Sequence, residues 1–168
     1  MAFWESEHYS MVGFKYGALL EVAREQHTPE TCWAAAMAMA SGLLGKDASN
    51  NEMAWYQKGR RSGLVKAGTT RILPEALRDL IRGLPGFTVE LYSMLGLARA
   101  LDAALKNDQI VLLMSEEHVI LLGQIQMHKQ SGEMTYHVID PADGQVVAWT
   151  QAKLNEFKPT EAAVIGKT

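Results

Sequence analysis

The stretch Gln26-His27-Thr28-Pro29-Glu30-Thr31-Cys32-Trp33-Ala34-Ala35-Ala36-Met37-Ala38-Met39-Ala40 constrains the fold more than any other. Its second half is an Ala/Met run of the highest helix propensity available, which predicts a buried helix over residues 31–44. Thr28 and Thr31 are N-cap residue types, Pro29 and Glu30 suit a first turn, and Gly42 and Gly45 supply stop signals. The rest of the chain has to be built around this helix, which begins at the protein's only cysteine.

A thiol in the first turn of a buried helix faces the positive end of the helix dipole, which favours thiolate over thiol. Cys32 is therefore where this chain would place a nucleophile. Gln26 lies in the loop leading into the helix. From there its carboxamide can offer an N–H to an oxygen gaining negative charge, with the backbone N–H of Cys32 as second donor. The plain alternative is that a lone buried cysteine is a small hydrophobe. The choice between them turns on whether the chain also supplies a base and a group to orient it.

With 168 residues, 48% hydrophobic and 21% charged, the chain suits one domain with a real core, taken as 1–168, and is too short for two. The net charge is −3 and the densest basic stretch is Lys58-Gly59-Arg60-Arg61, so no direct binding of nucleic acid is expected. A single cysteine forms no internal disulfide. There is no His-Glu-x-x-His, no cysteine pair and no carboxylate cluster, so neither a metal nor a cofactor is expected. Residues 1–8 lack the basic start and apolar core of a signal peptide. The apolar runs at Ile110–Met114 and Val119–Gly123 are strand-sized, so no membrane association is expected. The reading is of a soluble protein made in the cytoplasm.

Along the chain, residues 1–25 mix aromatic and polar positions, with a short strand or helical turn in Gly17–Arg24. Asn50 or Asn51 can cap a helix over Glu52–Lys58, and the glycines of Gly59–Thr70 suggest a mobile loop. Pro74 opens a helix over Glu75–Arg82, closed by Gly83. Phe87–Ser93 alternates like a strand, and Leu97–Lys106 is amphipathic and helical. Ile110–Met114, His118–Met127, Met134–Asp140 and Val146–Thr150 read as strands, broken at Ser131-Gly132 and Ala142-Asp143-Gly144. Gln151–Phe157 is a short helix and Ala162–Ile165 a closing strand. Helices first and an antiparallel sheet second make the fold class α+β.

Five histidines are candidate bases: His8, His27, His118, His128 and His137. The sequence echoes itself at His118-Val119-Ile120 and His137-Val138-Ile139. His118 opens a strongly apolar strand, a position from which a side chain can project into a cleft. Asp140-Pro141 ends the following strand. If the two strands form a hairpin, Asp140 can accept the imidazole N–H and hold its tautomer. The alternative is that Asp140–Gly144 is only a turn sequence.

At this point the residues resemble a family. Gln26, five residues, then Cys32-Trp33-Ala34-Ala35 at a helix start is similar to the active-site segment of papain-like cysteine peptidases. His118-Val119-Ile120-Leu121-Leu122-Gly123 and Val138-Ile139-Asp140-Pro141 resemble the His and Asp-Pro strands of the bacterial branch. That branch includes the peptidase domains of bacteriocin exporters and the papain-like effector proteases of plant pathogens, and Cys32-Trp33-Ala34-Ala35 is nearer the effectors. The resemblance spans most of residues 20–145. It implies Cys32 as nucleophile, His118 as general base and acid, Asp140 as orienter and Gln26 as oxyanion donor.

The resemblance implies peptide-bond hydrolysis in a protein or peptide substrate. No propeptide is read before the domain and no transporter after it. A free-standing peptidase without a signal peptide suggests a bacterial toxin or effector, delivered into target cells and restrained by a cognate inhibitor or immunity protein. The same triad serves deamidation or acyl transfer, and a non-catalytic binding module is a third reading.

Overall fold

The computed structural model describes residues 3–28, 31–45, 51–62, 74–93 and 97–168. Its centre is set by the most apolar run. Strand β4 (Ile110–Met114) is buried along its whole length. Alternation sends Ile110, Leu112 and Met114 to one face of a sheet and Val111 and Leu113 to the other, so each face carries its own core.

Strand β5 (Val119–His128) returns antiparallel beside β4, with Leu113 opposite Ile120. Strand β6 (Met134–Asp140) lines the other edge of β5, and β7 (Gln145–Thr150) lies outside β6. On the far side of β4 sits β8 (Glu161–Lys167), followed by β3 (Phe87–Ser93). β8 is thus an interior strand although it comes last among the elements.

The sheet takes two further strands that the sequence reading did not assign. β1 (Phe3–Glu5) pairs with β2 (Tyr9–Gly13), and β2 pairs with the second half of β5. They are short and mostly half-exposed, so they lack the apolar run that marks the central strands. The changeover along β5 falls at Gly123, where the pairing with β6 shifts register. A Cβ at Gly123 would lie 2.3 Å from Leu19 Cδ2, so the glycine admits helix α1 (Tyr16–Val22) against the sheet. The α+β class holds, with every strand pair antiparallel and strands drawn from both halves of the chain.

Helix α2 (Cys32–Leu43) occupies one face of the sheet. Cys32 through Ser41 are all buried, as a helix without a polar face requires. Gly45 ends it in a left-handed conformation (φ +72°). Gly42, expected as a stop signal, lies inside the helix, where a Cβ would meet Val22 Cγ1 at 2.9 Å. Helix α3 (Glu52–Arg61) packs on α2, and Trp55 Nε1 donates to Ser41 Oγ at 3.3 Å. Asn51 caps α3, its Oδ1 accepting from Ala54 N–H at 2.9 Å. Gly59, expected to begin a loop, is a buried residue of this helix, and residues 63–70 of that expected loop lie outside the described residues.

Helix α4 (Pro74–Arg82) completes this face with Leu77, Leu80 and Ile81. Helix α5 (Leu97–Lys106) covers the opposite face through Leu97, Leu101 and Leu105. Helix α6 (Gln151–Phe157), capped by Thr150, adds Leu154 there. Among the described residues no helix is long and apolar enough to cross a membrane.

Candidate active site

Cys32 is the first residue of α2 and its side chain is buried. As a first helical residue, its N–H has no acceptor within the helix. His118 stands at the end of the turn that joins β4 to β5. Ser115 N–H donates to the His118 carbonyl at 2.9 Å, and His118 N–H donates to Ser115 Oγ at 3.2 Å. This turn fixes the imidazole at the rim of the sheet, one residue before β5.

Asp140 ends β6. Because β5 and β6 are antiparallel with Leu121 opposite Ile139, the start of one meets the end of the other. His118 Nε2 donates to Asp140 Oδ1 at 2.5 Å. The same oxygen accepts from Ala142 N–H at 2.9 Å, which holds the carboxylate in the turn. Cys32 is the imidazole's other electrostatic partner, near enough for its hydrogen bonding and charge to favour the imidazolium. Phe157 places its ring near the imidazole in an edge arrangement, centroids 6.3 Å apart.

Burial works against charge on His118. The hydrogen bonds to Asp140 and Cys32 and the charges of both outweigh it, and the pKa rises from 6.5 to about 9. For Asp140, burial pushes the carboxyl up. The His118 hydrogen bond, the Ala142 N–H and the charges of His118 and Lys153 together hold it below its ordinary 3.8. The pair is an imidazolium beside a carboxylate at neutral pH.

Gln26 reaches the same corner through its backbone. Its N–H donates to the carbonyl of Pro141, the residue after Asp140, at 2.6 Å. Among the described residues, its side-chain Oε1 is buried without a partner. The turn after Asp140 lies against the segment that leads into Gln26. Gly144 has φ +70°, and a Cβ there would lie 2.5 Å from Glu25 N. A side-chain hydrogen bond therefore joins His118 and Asp140, Cys32 acts on the same imidazole, and main-chain contacts tie Gln26 to this corner.

The other histidines stand apart from this line. His8 and His128 stack on each other at the far end of β5. His137 sits inside β6 opposite Gln124 and Ala148, with Tyr16 at its ring edge. Among the described residues its Nδ1 is buried without a partner, and burial lowers its pKa. His27 binds Glu52, a buried carboxylate that the sequence reading passed over. Glu52 follows the asparagine that caps α3, and an acidic residue there is what any helix start offers, so nothing in the sequence marked it. Among the described residues no group of three His, Cys, Asp or Glu side chains is arranged to hold a metal ion.

The chain matches no protein-family model and no curated protein. Its reading rests on the chemistry of the corner itself.

Proposed function

We propose that the protein is a papain-like cysteine peptidase with Cys32 as nucleophile. One observation carries the reading: the start of α2, the turn before β5 and the end of β6 converge, so that a single imidazole hydrogen-bonded to a carboxylate also has the protein's one thiol as a partner. A histidine placed this way activates the sulfur and is itself held in register by Asp140.

The chemistry follows from the parts. The Cys32 thiolate attacks the substrate carbonyl, and negative charge develops on the carbonyl oxygen. Gln26, whose oxygen is buried, offers its NH2 end to that charge together with the Cys32 N–H. The His118 imidazolium gives its proton to the leaving amine as the C–N bond breaks and a thioester remains. Neutral His118 then takes a proton from water, whose oxygen attacks the thioester and frees the acid and the thiolate.

Intact-mass labelling with a peptide-like epoxide at pH 6, wild type beside His118→Ala, tests this reading. Rapid modification of Cys32 that requires His118 is the expected result. Labelling that ignores His118 would reduce Cys32 to a buried hydrophobe. Peptide substrates followed by mass spectrometry then separate chain cleavage from deamidation, which adds about one dalton. The likeness of Cys32-Trp33-Ala34-Ala35 to effector proteases supports a role as a delivered bacterial toxin held by a cognate inhibitor. Wild-type expression in target cells is then expected to be toxic and Cys32→Ala harmless.

A further inference from the structure

Glu52 opens α3, and its side chain is 2% exposed. A carboxylate removed from water needs partners for both oxygens. Here Oε2 accepts from the backbone N–H of His27 at 2.8 Å, and His27 Nδ1 lies 2.9 Å from the same oxygen. Among the described residues, Oε1 is buried with no partner. The helix does not depend on this carboxylate, because Asn51 already caps it. A buried acid with one oxygen unsatisfied is a poor way to stabilise a fold, and its placement calls for another explanation.

His27 is the residue after Gln26. The Gln26 N–H is held by Pro141 and the next N–H by Glu52, so the Gln26 peptide is pinned from two sides. The face of α3 that carries Glu52 also carries Tyr56 one turn later, whose ring centroid lies 6.5 Å from that of Trp33, beside Cys32. The His27 imidazole is 67% exposed, so its ion pair contributes little and the backbone contact matters most.

We propose that Glu52 is a positioning residue of the oxyanion hole, fixing the loop that presents the Gln26 carboxamide beside Cys32. The assignment rests on the peptidase reading above and deepens it. Glu52 touches no reacting atom and acts only through His27 and Gln26.

The test compares wild type, Glu52→Gln, Glu52→Leu and His27→Ala in peptide hydrolysis, in alkylation of Cys32 by iodoacetamide, and in thermal melting. Alkylation displaces iodide at a saturated carbon, so it needs the thiolate but no oxyanion hole. Glu52→Leu is expected to lower kcat roughly 10- to 100-fold while KM and the alkylation rate stay within about twofold. Glu52→Gln keeps an acceptor oxygen for His27 N–H and is expected to restore kcat to within about threefold, as is His27→Ala, which keeps that N–H. If Glu52→Leu does not fold, Glu52→Asp replaces it: the charge stays but its oxygens draw back from His27, and the same fall in kcat is expected. Unchanged kcat, alkylation falling in parallel with kcat, or Glu52→Gln as damaged as Glu52→Leu would each overturn the assignment. A wild type with neither hydrolysis nor His118-dependent alkylation would instead overturn the peptidase reading, and the assignment with it.

Discussion

His118 keeps its proton to about pH 9, and both the proposed catalysis and the stability are expected to follow that value. Protonation of the leaving amine needs the imidazolium, so kcat/KM is expected to fall as pH rises through about 9 in a pH–rate profile. Asp140→Asn removes the carboxylate that raises His118, so the alkaline limb is expected to move to lower pH. A limb that stays in place would show that Asp140 does not set the imidazole. For stability, His118 contributes fully below its unfolded 6.5 and loses this as pH rises through about 9. Asp140 contributes fully above its unfolded 3.8 and loses this as pH falls through its lowered folded value. The melting-temperature gap between wild type and Asp140→Asn is therefore expected to be widest from about pH 4 to 6.5. Gln26→Ala is expected to cost on the order of 100- to 1000-fold in kcat, measured on the same peptide substrate. At this scale Cys32, His118 and Asp140 were legible because helix caps and strand ends leave marks in sequence. The Pro141 carbonyl that holds Gln26 was not, because a backbone acceptor has no residue type.

The β5–β6 hairpin is the element that assembles the candidate site, and it was legible for a simple reason. Strand-sized apolar runs broken at Ser131-Gly132 mark both strands, and antiparallel pairing then dictates which ends meet. The turn between β6 and β7 read only as a turn, yet it braces the loop before Gln26. Gly144→Ala would drive a Cβ to within 2.6 Å of the Arg24 carbonyl carbon as well as onto Glu25 N. Since that backbone can relieve the clash only by moving, kcat is expected to fall by roughly 10- to 100-fold, read by steady-state kinetics. A variant at wild-type kcat would show that the turn does not brace the loop. The strands β1 and β2 escaped the sequence reading because, at three and five residues, they are too short for an alternation to stand out. Helix α1 was hard to place for a related reason: of its residues only Leu19 is buried.

At the scale of the molecule, one sheet serves two cores, and its central strands answer to both. Leu112 is fully buried between α2 and the sheet, opposite Leu121 and Ala163. Leu112→Ala is expected to cost about 2–5 kcal/mol in urea denaturation, because neighbours fixed on both sides cannot close the cavity. That overall plan was only partly legible: burial of β4 on both faces follows from its composition, but strand order depends on contacts between residues far apart. The position of β8 has a consequence in time. A ribosome releases residues 161–167 after every other element, yet they fill the gap between β4 and β3. A nascent or prematurely terminated chain lacking them leaves β3 detached from the sheet and one side of β4 uncovered, and pairings this distant form late. The order of synthesis itself thus delays closure of the sheet beside β4 until residues 161–167 have been made.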